Sequence, residues 1–287
     1  MKLISYSLLA AGMLITAGCS REPKRVNEVV AIPAAAIPSA PGDSVWDRAP
    51  EHAAKLLLQD LVEPRLMEPS TTEVRVRAVR TPSQIAFRLD WNDATLDEMA
   101  KPGMFVDGCA IQLPKANNGQ APDPQMGQQG QTVEITFWRA DWQAAVNGRA
   151  PTKIQDFYPN ATIDHYPSEA KSLEPGSAKQ KEMERLYSPA RALGNLRSGP
   201  RESAVEEMIA EGPGTLSRAA ASNNSKGNGT RTKTGWQVVI SRAAPQGLAP
   251  RQRSQIAFAV WEGSHKEVGA RKMRTGWIPL LLEESPK

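Results

Sequence analysis

The sequence predicts a mainly β protein: a β-sandwich of mixed or antiparallel sheets with long loops and one or two short helices. Two observations carry that expectation. Apolar and polar residues alternate with a period of two through most of the chain, and Gly, Pro and Asn turns cut the alternation into short runs. One run, SQIAFAVWEG, is apolar on both faces, as befits a strand covered on both sides. The 287 residues suit one large domain or two small ones, and no internal repeat or second core-sized segment divides them.

The chain opens with a secretory signal. Lys2 precedes an apolar run from Ile4 to Ala17, followed by Gly18-Cys19-Ser20. The run is short for a membrane span and has no stop-transfer flank. The stretch ITAGC resembles a bacterial lipobox, so Cys19 is expected to be lipidated once residues 1–18 are removed. The protein would then be exported and lipid-anchored on the periplasmic side of a bacterial membrane. The plainer alternative is an ordinary signal peptide with an incidental cysteine. With Cys19 lipidated, Cys109 has no intramolecular disulfide partner. Cys109 is in phase with Ile111 and Leu113 and reads as a small buried hydrophobe. Residues 19–42 are rich in Pro, Ala and Ser and read as a tether, with part of it able to lie along the domain surface, leaving 43–287 as the folded domain.

The strands follow in order. In EVRVRAV, Val74, Val76 and Ala78 alternate with Arg75 and Arg77. In SQIAFRLDW, Ile85, Phe87, Leu89 and Trp91 share a face. In QTVEITFWRADW, Val133, Ile135 and Phe137 face one way, Trp138 and Ala140 the other. WQVVISR and SQIAFAVWEG repeat the style, and TGWIPLLLE closes the chain. Residues 151–235 have few strands and many turn residues and read as a long excursion. Within it ESAVEEMIAEG predicts a helix, with Val205, Met208 and Ile209 on one face and Gly212 as its stop. The tract Ser222 to Gly235 reads as a polar loop.

The net charge of +4 comes from 35 scattered basic residues with no long run, so no nucleic-acid partner is expected. The histidines His52, His165 and His265 form no HExxH or close pair. CxxCH, GxSxG, a Walker loop and GxGxxG before a helix are all absent. The carboxylates Asp90, Asp93, Asp97, Asp107, Asp141 and Asp164 leave open which of them face one another. Two loop residues have ligand potential. Met126, in DPQMGQQG, offers a soft thioether; Lys272, in HKEVGARKMRTGW, offers an amine that binds metal only when neutral. On chemistry alone each has a plainer reading, as a loop hydrophobe and a solvated turn residue.

An ordered set of segments changes that weighting. These are VWDRAP, IAFRLDWNDAT, FVDGCAIQLP, PQMGQQG, VEITFWRADW, YPN, IDHY, YSPARALGN, VEEMIAEGPGTL, GWQVVISR and IAFAVWEGSHKEVGARKMRTGW. Together they resemble the gamma, haem b-binding subunits of the ethylbenzene dehydrogenase type, which belong to periplasmic molybdoenzymes of the type II dimethyl sulfoxide reductase family. The resemblance implies a β-sandwich holding one non-covalent haem b, with Met126 of Pro124-Gln125-Met126-Gly127 and Lys272 of Gly269-Ala270-Arg271-Lys272 as axial iron ligands. Lys266 and Met273 are neighbouring competitors, and Trp277 aligns the motif on Lys272. Arg139 and Arg271 are candidates for the haem propionates, against the plainer reading of surface arginines. The implied role is a non-catalytic electron relay. Its implied partners are an iron–sulfur beta subunit, a molybdenum catalytic alpha subunit and a carrier such as a c-type cytochrome. Lipid anchoring departs from the soluble members of that family. The rival reading is a stand-alone lipoprotein binding module, carbohydrate-binding or haem-sensing, without a relay.

Overall fold

The computed structural model describes residues 27–116, 120–150, 154–162, 177–187, 201–245 and 247–285. Cys19, His165, Asp164 and the IDHY segment lie outside them, as does nearly all of YSPARALGN. The chain runs β1 (Val29–Pro33), α1 (Val45–Arg48), β2 (His52–Lys55), β3 (Leu57–Leu58), β4 (Glu73–Arg80), β5 (Gln84–Asn92), β6 (Gly108–Pro114), β7 (Val133–Arg139) and α2 (Ala140–Val146). It continues with α3 (Ala178–Tyr187), β8 (Val205–Ala210), β9 (Ser217–Arg218), β10 (Lys226–Arg231), β11 (Gly235–Ala243), β12 (Arg253–Trp261), β13 (Met273–Arg274) and β14 (Ile278–Leu282).

Two sheets share β12. In the first the order is β10-β11-β5-β4-β1-β14-β12, and in the second β12-β6-β7-β8-β9. The first half of β12 pairs with β14 and the second half with β6. A strand with neighbours in both sheets must bury both faces, which explains its doubly apolar text. The inner faces meet through edge-on aromatic contacts: Phe87 with Phe258 at 6.4 Å between ring centroids, Trp91 with Trp138 at 6.3 Å, and Trp138 with Trp236 at 5.1 Å. Period-two alternation held as expected. Ile85, Phe87, Leu89 and Trp91 all belong to this core, as do Trp138 and Ala140, while Val133, Ile135 and Phe137 point to the opposite, outer face of the second sheet. Cys109 is fully buried in the inner core, and burial pushes its thiol pKa up.

Three expectations are corrected. Residues 29–33, placed in a tether, form β1, which inserts between β4 and β14 with parallel pairing to both. Val29 and Ala31 are buried there, so the small, apolar text supplied strand packing without needing a long period. Val205 to Ala210 is strand β8, not a helix. It pairs with β7 over six residues, and the open edge of β7 outweighs the weak helical spacing of Val205, Met208 and Ile209. The tract at 222–235 is partly strand β10, an edge strand on β11. Its glycines serve close approach, since a Cβ on Gly229 would lie 2.3 Å from Trp138 Cζ2. No helix among the described residues is long and apolar enough to cross a membrane.

Candidate functional site

The site lies on the outer face of the second sheet, away from the inter-sheet core. Small residues lower its centre: Ala110 of β6 pairs with Ala259 of β12, and Ala257 sits opposite Gln112. Phe137, Trp261 and Met208 wall the depression, with Phe137 and Trp261 at 4.8 Å between ring centroids. Loops roof it over, leaving a mainly apolar cavity of about 590 Å³. Such a volume falls in the range of roughly 300–1,000 Å³ typical of sites that hold small organic ligands.

Met126 is delivered by the loop from β6 to β7. The Asp123 carbonyl accepts the Gly127 N–H at 2.9 Å, its carboxylate accepts the Gln125 N–H at 2.8 Å, and the Gln112 amide donates to the Pro124 carbonyl at 3.0 Å. Met126 itself has φ +71°, a left-handed conformation that side-chain-bearing residues rarely adopt. It is held there because its carbonyl accepts the Gly212 N–H at 2.8 Å. Gly127 has φ +83°, and a Cβ on it would lie 2.8 Å from the Gln131 carbonyl and 2.9 Å from that of Ala210. Only glycine fits, so the loop descends onto the edge of β8 and turns the methionine inward. Strain maintained by surrounding contacts is a mark of functional positions.

Lys272 is delivered by the loop from β12 to β13. Strand alternation decides its direction: Met273 is buried in the inter-sheet core, so Lys272 and Arg274 face the cavity. Met273 is thereby removed as a competing ligand, and Lys266 is exposed and outside the cavity lining. Gln59 clamps the loop by donating its N–H to the Lys272 carbonyl at 3.1 Å and its amide to that of Ala270 at 3.0 Å. The Trp261 indole donates to the Gly269 carbonyl at 3.1 Å, and the Trp277 indole donates across to the Pro122 carbonyl of the methionine loop.

The two loops leave the sheet at opposite ends and meet over its middle. The Lys272 amine stands 4.0 Å from the Met126 sulfur and 5.2 Å from the centre of the Trp261 ring. Bonds from a first-row metal such as zinc to sulfur and nitrogen run roughly 2.3 and 2.0 Å, so the two donor atoms stand close enough to be shared by one metal atom. Burial, aided by the Arg274 charge, pulls the Lys272 amine down to a pKa of about 8. That eases the proton competition that any metal must overcome.

Arg139 lines the cavity but is paired with Asp141 at 3.0 Å and lies over the Trp142 ring. Arg271 lies over the Phe105 ring instead, its guanidinium 5.8 Å from the centroid. Among the carboxylates, Asp107 is buried and pushed up to about 7, mainly by desolvation. It accepts the N–H groups of Asp97 and Gly263 and the Trp236 indole N–H. It pins strand ends together outside the cavity. Sequence reading missed Ala110, Ala259, Phe137, Trp261 and Gln59 as parts of the site. The one signal for the alanines is their recurrence in phase with larger apolar residues, which alone does not separate a cavity floor from a tight core.

The family model for ethylbenzene dehydrogenase matches residues 43–273 of this chain. A putative respiratory nitrate reductase heme subunit of Haloferax mediterranei is 23% identical over 262 residues, covering 87% of this chain and 70% of the relative. Chlorate reductase subunit gamma of Ideonella dechloratans is 24% identical over 258 residues, covering 87% of this chain and 81% of the relative. Among solved structures, a family 9 carbohydrate binding module from Caldicellulosiruptor kristjanssonii, in complex with cellotriose, aligns over 90% of this chain and 95% of that one. Its TM-score is 0.40 with 8% identity, a likeness with no bearing on function.

Proposed function

The chain belongs to the ethylbenzene dehydrogenase family, and from that premise we propose that it is the haem b-binding, electron-transferring gamma subunit of a periplasmic molybdoenzyme complex. The observation that carries the reading is the convergence of Met126 and Lys272, 4.0 Å apart over an apolar cavity of about 590 Å³. The residues fit the group. A thioether and a pKa-lowered amine are competent iron donors, and the alanine floor leaves room for a flat ring.

Met126 and Lys272 would hold the iron. With both of these donors supplied by the protein, the chemistry that the haem would supply is one-electron transfer rather than bond making. The protein's own residues then set the terms. The Met126 thioether favours the reduced state, the walls of Phe137, Trp261 and Met208 exclude water, and the Gln59 and Trp277 hydrogen bonds fix the ligand loops. The names of the two relatives, a heme subunit and a gamma subunit of reductases, support the same role. On this reading the chain is non-catalytic and works beside an iron–sulfur beta subunit and a molybdenum alpha subunit. It passes electrons to or from a carrier such as a c-type cytochrome while Cys19 tethers it by lipid to the membrane.

The test is the absorption spectrum of the purified full chain with and without dithionite. Sharp low-spin bands that respond to reduction are expected. A colourless protein that takes up no added haem overturns the proposal in favour of a binding module of another kind.

A further inference from the structure

Five charged side chains line the cavity, and four of them are accounted for. Glu63 pairs with Arg65 at 2.8 Å. Glu267 is buried and accepts hydrogen bonds from the Ser70 hydroxyl and, at 3.0 Å, the Glu262 N–H. Arg139 is neutralised by Asp141, and Lys272 faces Met126. The fifth, Arg274, makes no side-chain hydrogen bond or ion pair among the described residues, and its Nε is buried without a partner. An unpaired guanidinium against an apolar wall is unfavourable unless something else brings the negative charge.

Its position says where that charge would lie. Arg274 pairs with Ala259 of the cavity floor and stands two residues from Lys272 on the same face. It therefore stands beside Lys272 along the cavity wall. Arg271, whose Nε also has no hydrogen-bond partner among the described residues, is outside the cavity lining. Haem carries two carboxylates on one edge, beside rather than over its iron, and a planar guanidinium fork matches a carboxylate with two parallel hydrogen bonds. Resting on the haem reading above, we infer that Arg274 is the anchor for a haem propionate and sets the rotation of the ring about the axis between the two ligands. Arg139, already paired, is secondary.

The test compares binding of protohaem with binding of its dimethyl ester, in which both propionates are blocked, by absorbance titration of the full chain. The wild type is expected to prefer the free acid by roughly tenfold or more, the worth of a charge-assisted hydrogen bond. Arg274→Gln should lose that preference while keeping its affinity for the ester and the same axial bands, and Arg139→Gln should retain the preference. An undiminished preference in Arg274→Gln overturns the anchor and leaves the haem reading standing. A wild type that binds neither form overturns both. Should Arg274→Gln fail to fold, Arg274→Lys decides: a preference reduced below that of the wild type supports the anchor, and an unchanged one overturns it.

Discussion

The Lys272 amine and the Met126 thioether lie 4.0 Å apart although 146 residues separate them in the chain. Two loops that enter from opposite ends of one sheet have been brought to a common point above an alanine floor. The inter-sheet core sets the direction of Lys272 through the buried Met273, and loops on the outer face bring the two side chains together.

On the haem reading, replacing Met126 or Lys272 should break a six-coordinate state. Met126→Ala and Lys272→Ala are each expected to give five-coordinate, high-spin bands and to weaken haem binding roughly tenfold or more, the scale of losses at metal sites. Optical and electron-paramagnetic spectra check this. Unaltered spectra and potential in both variants would refute the assignment.

Haem binding should depend on pH through Lys272. Because burial pulls the Lys272 amine down to a pKa of about 8, the affinity is expected to fall roughly tenfold per pH unit below that value, as protons compete for the ligand. The slope should vanish in Lys272→Met. The haem-free chain should gain stability as pH rises from about 8 toward the ordinary lysine value of 10.5. In that window the unfolded chain binds the proton more tightly than the folded one, so raising the pH favours folding. Binding titrations and urea melts at several pH values measure both effects.

Two glycine substitutions should separate the site from the fold. Gly127→Ala meets the Gln131 and Ala210 carbonyls and a φ of +83°. It is expected to cost about 1–3 kcal/mol and to disturb the low-spin bands by moving Met126. Gly229→Ala drives a methyl group into the Trp138 ring in the inner core. Its cost is of similar size, about 1–3 kcal/mol, with the haem spectrum of the folded fraction unchanged. Urea denaturation and absorption spectra of the same samples distinguish them.

Cys19→Ala is expected to move the protein from the membrane fraction to the soluble fraction. Retention after high-salt washing would mean that lipidation is not the anchor.

Much of this was legible residue by residue. The alternation of Ile85, Phe87, Leu89 and Trp91 specified one face of β5, and the split of Val133, Ile135 and Phe137 from Trp138 separated the outer face of the second sheet from the inner core. The misreadings occurred where side-chain text was ambiguous and partner edges decided. β8 carries Val205, Met208 and Ile209 at helical spacing, yet the edge of β7 pairs it as a strand. β1 reads as tether until β4 and β14 are placed on either side of it. Arg274 passed unnoticed because its neighbours on the cavity floor come from β12, not from its own segment.

By itself the sequence determined which residues alternate, where the chain must turn, and, through ordered motifs, that Met126 and Lys272 were the donors to watch. Only the tertiary structure decided that the two meet, that Met273 points the other way, and that Arg274 makes no side-chain hydrogen bond or ion pair among the described residues. The reason is physical. Periodicity reports the local angle between successive side chains, whereas a site depends on the distance between strands and loops far apart in the chain, set by sheet register and by the few residues, such as Gly127, that let two backbones touch.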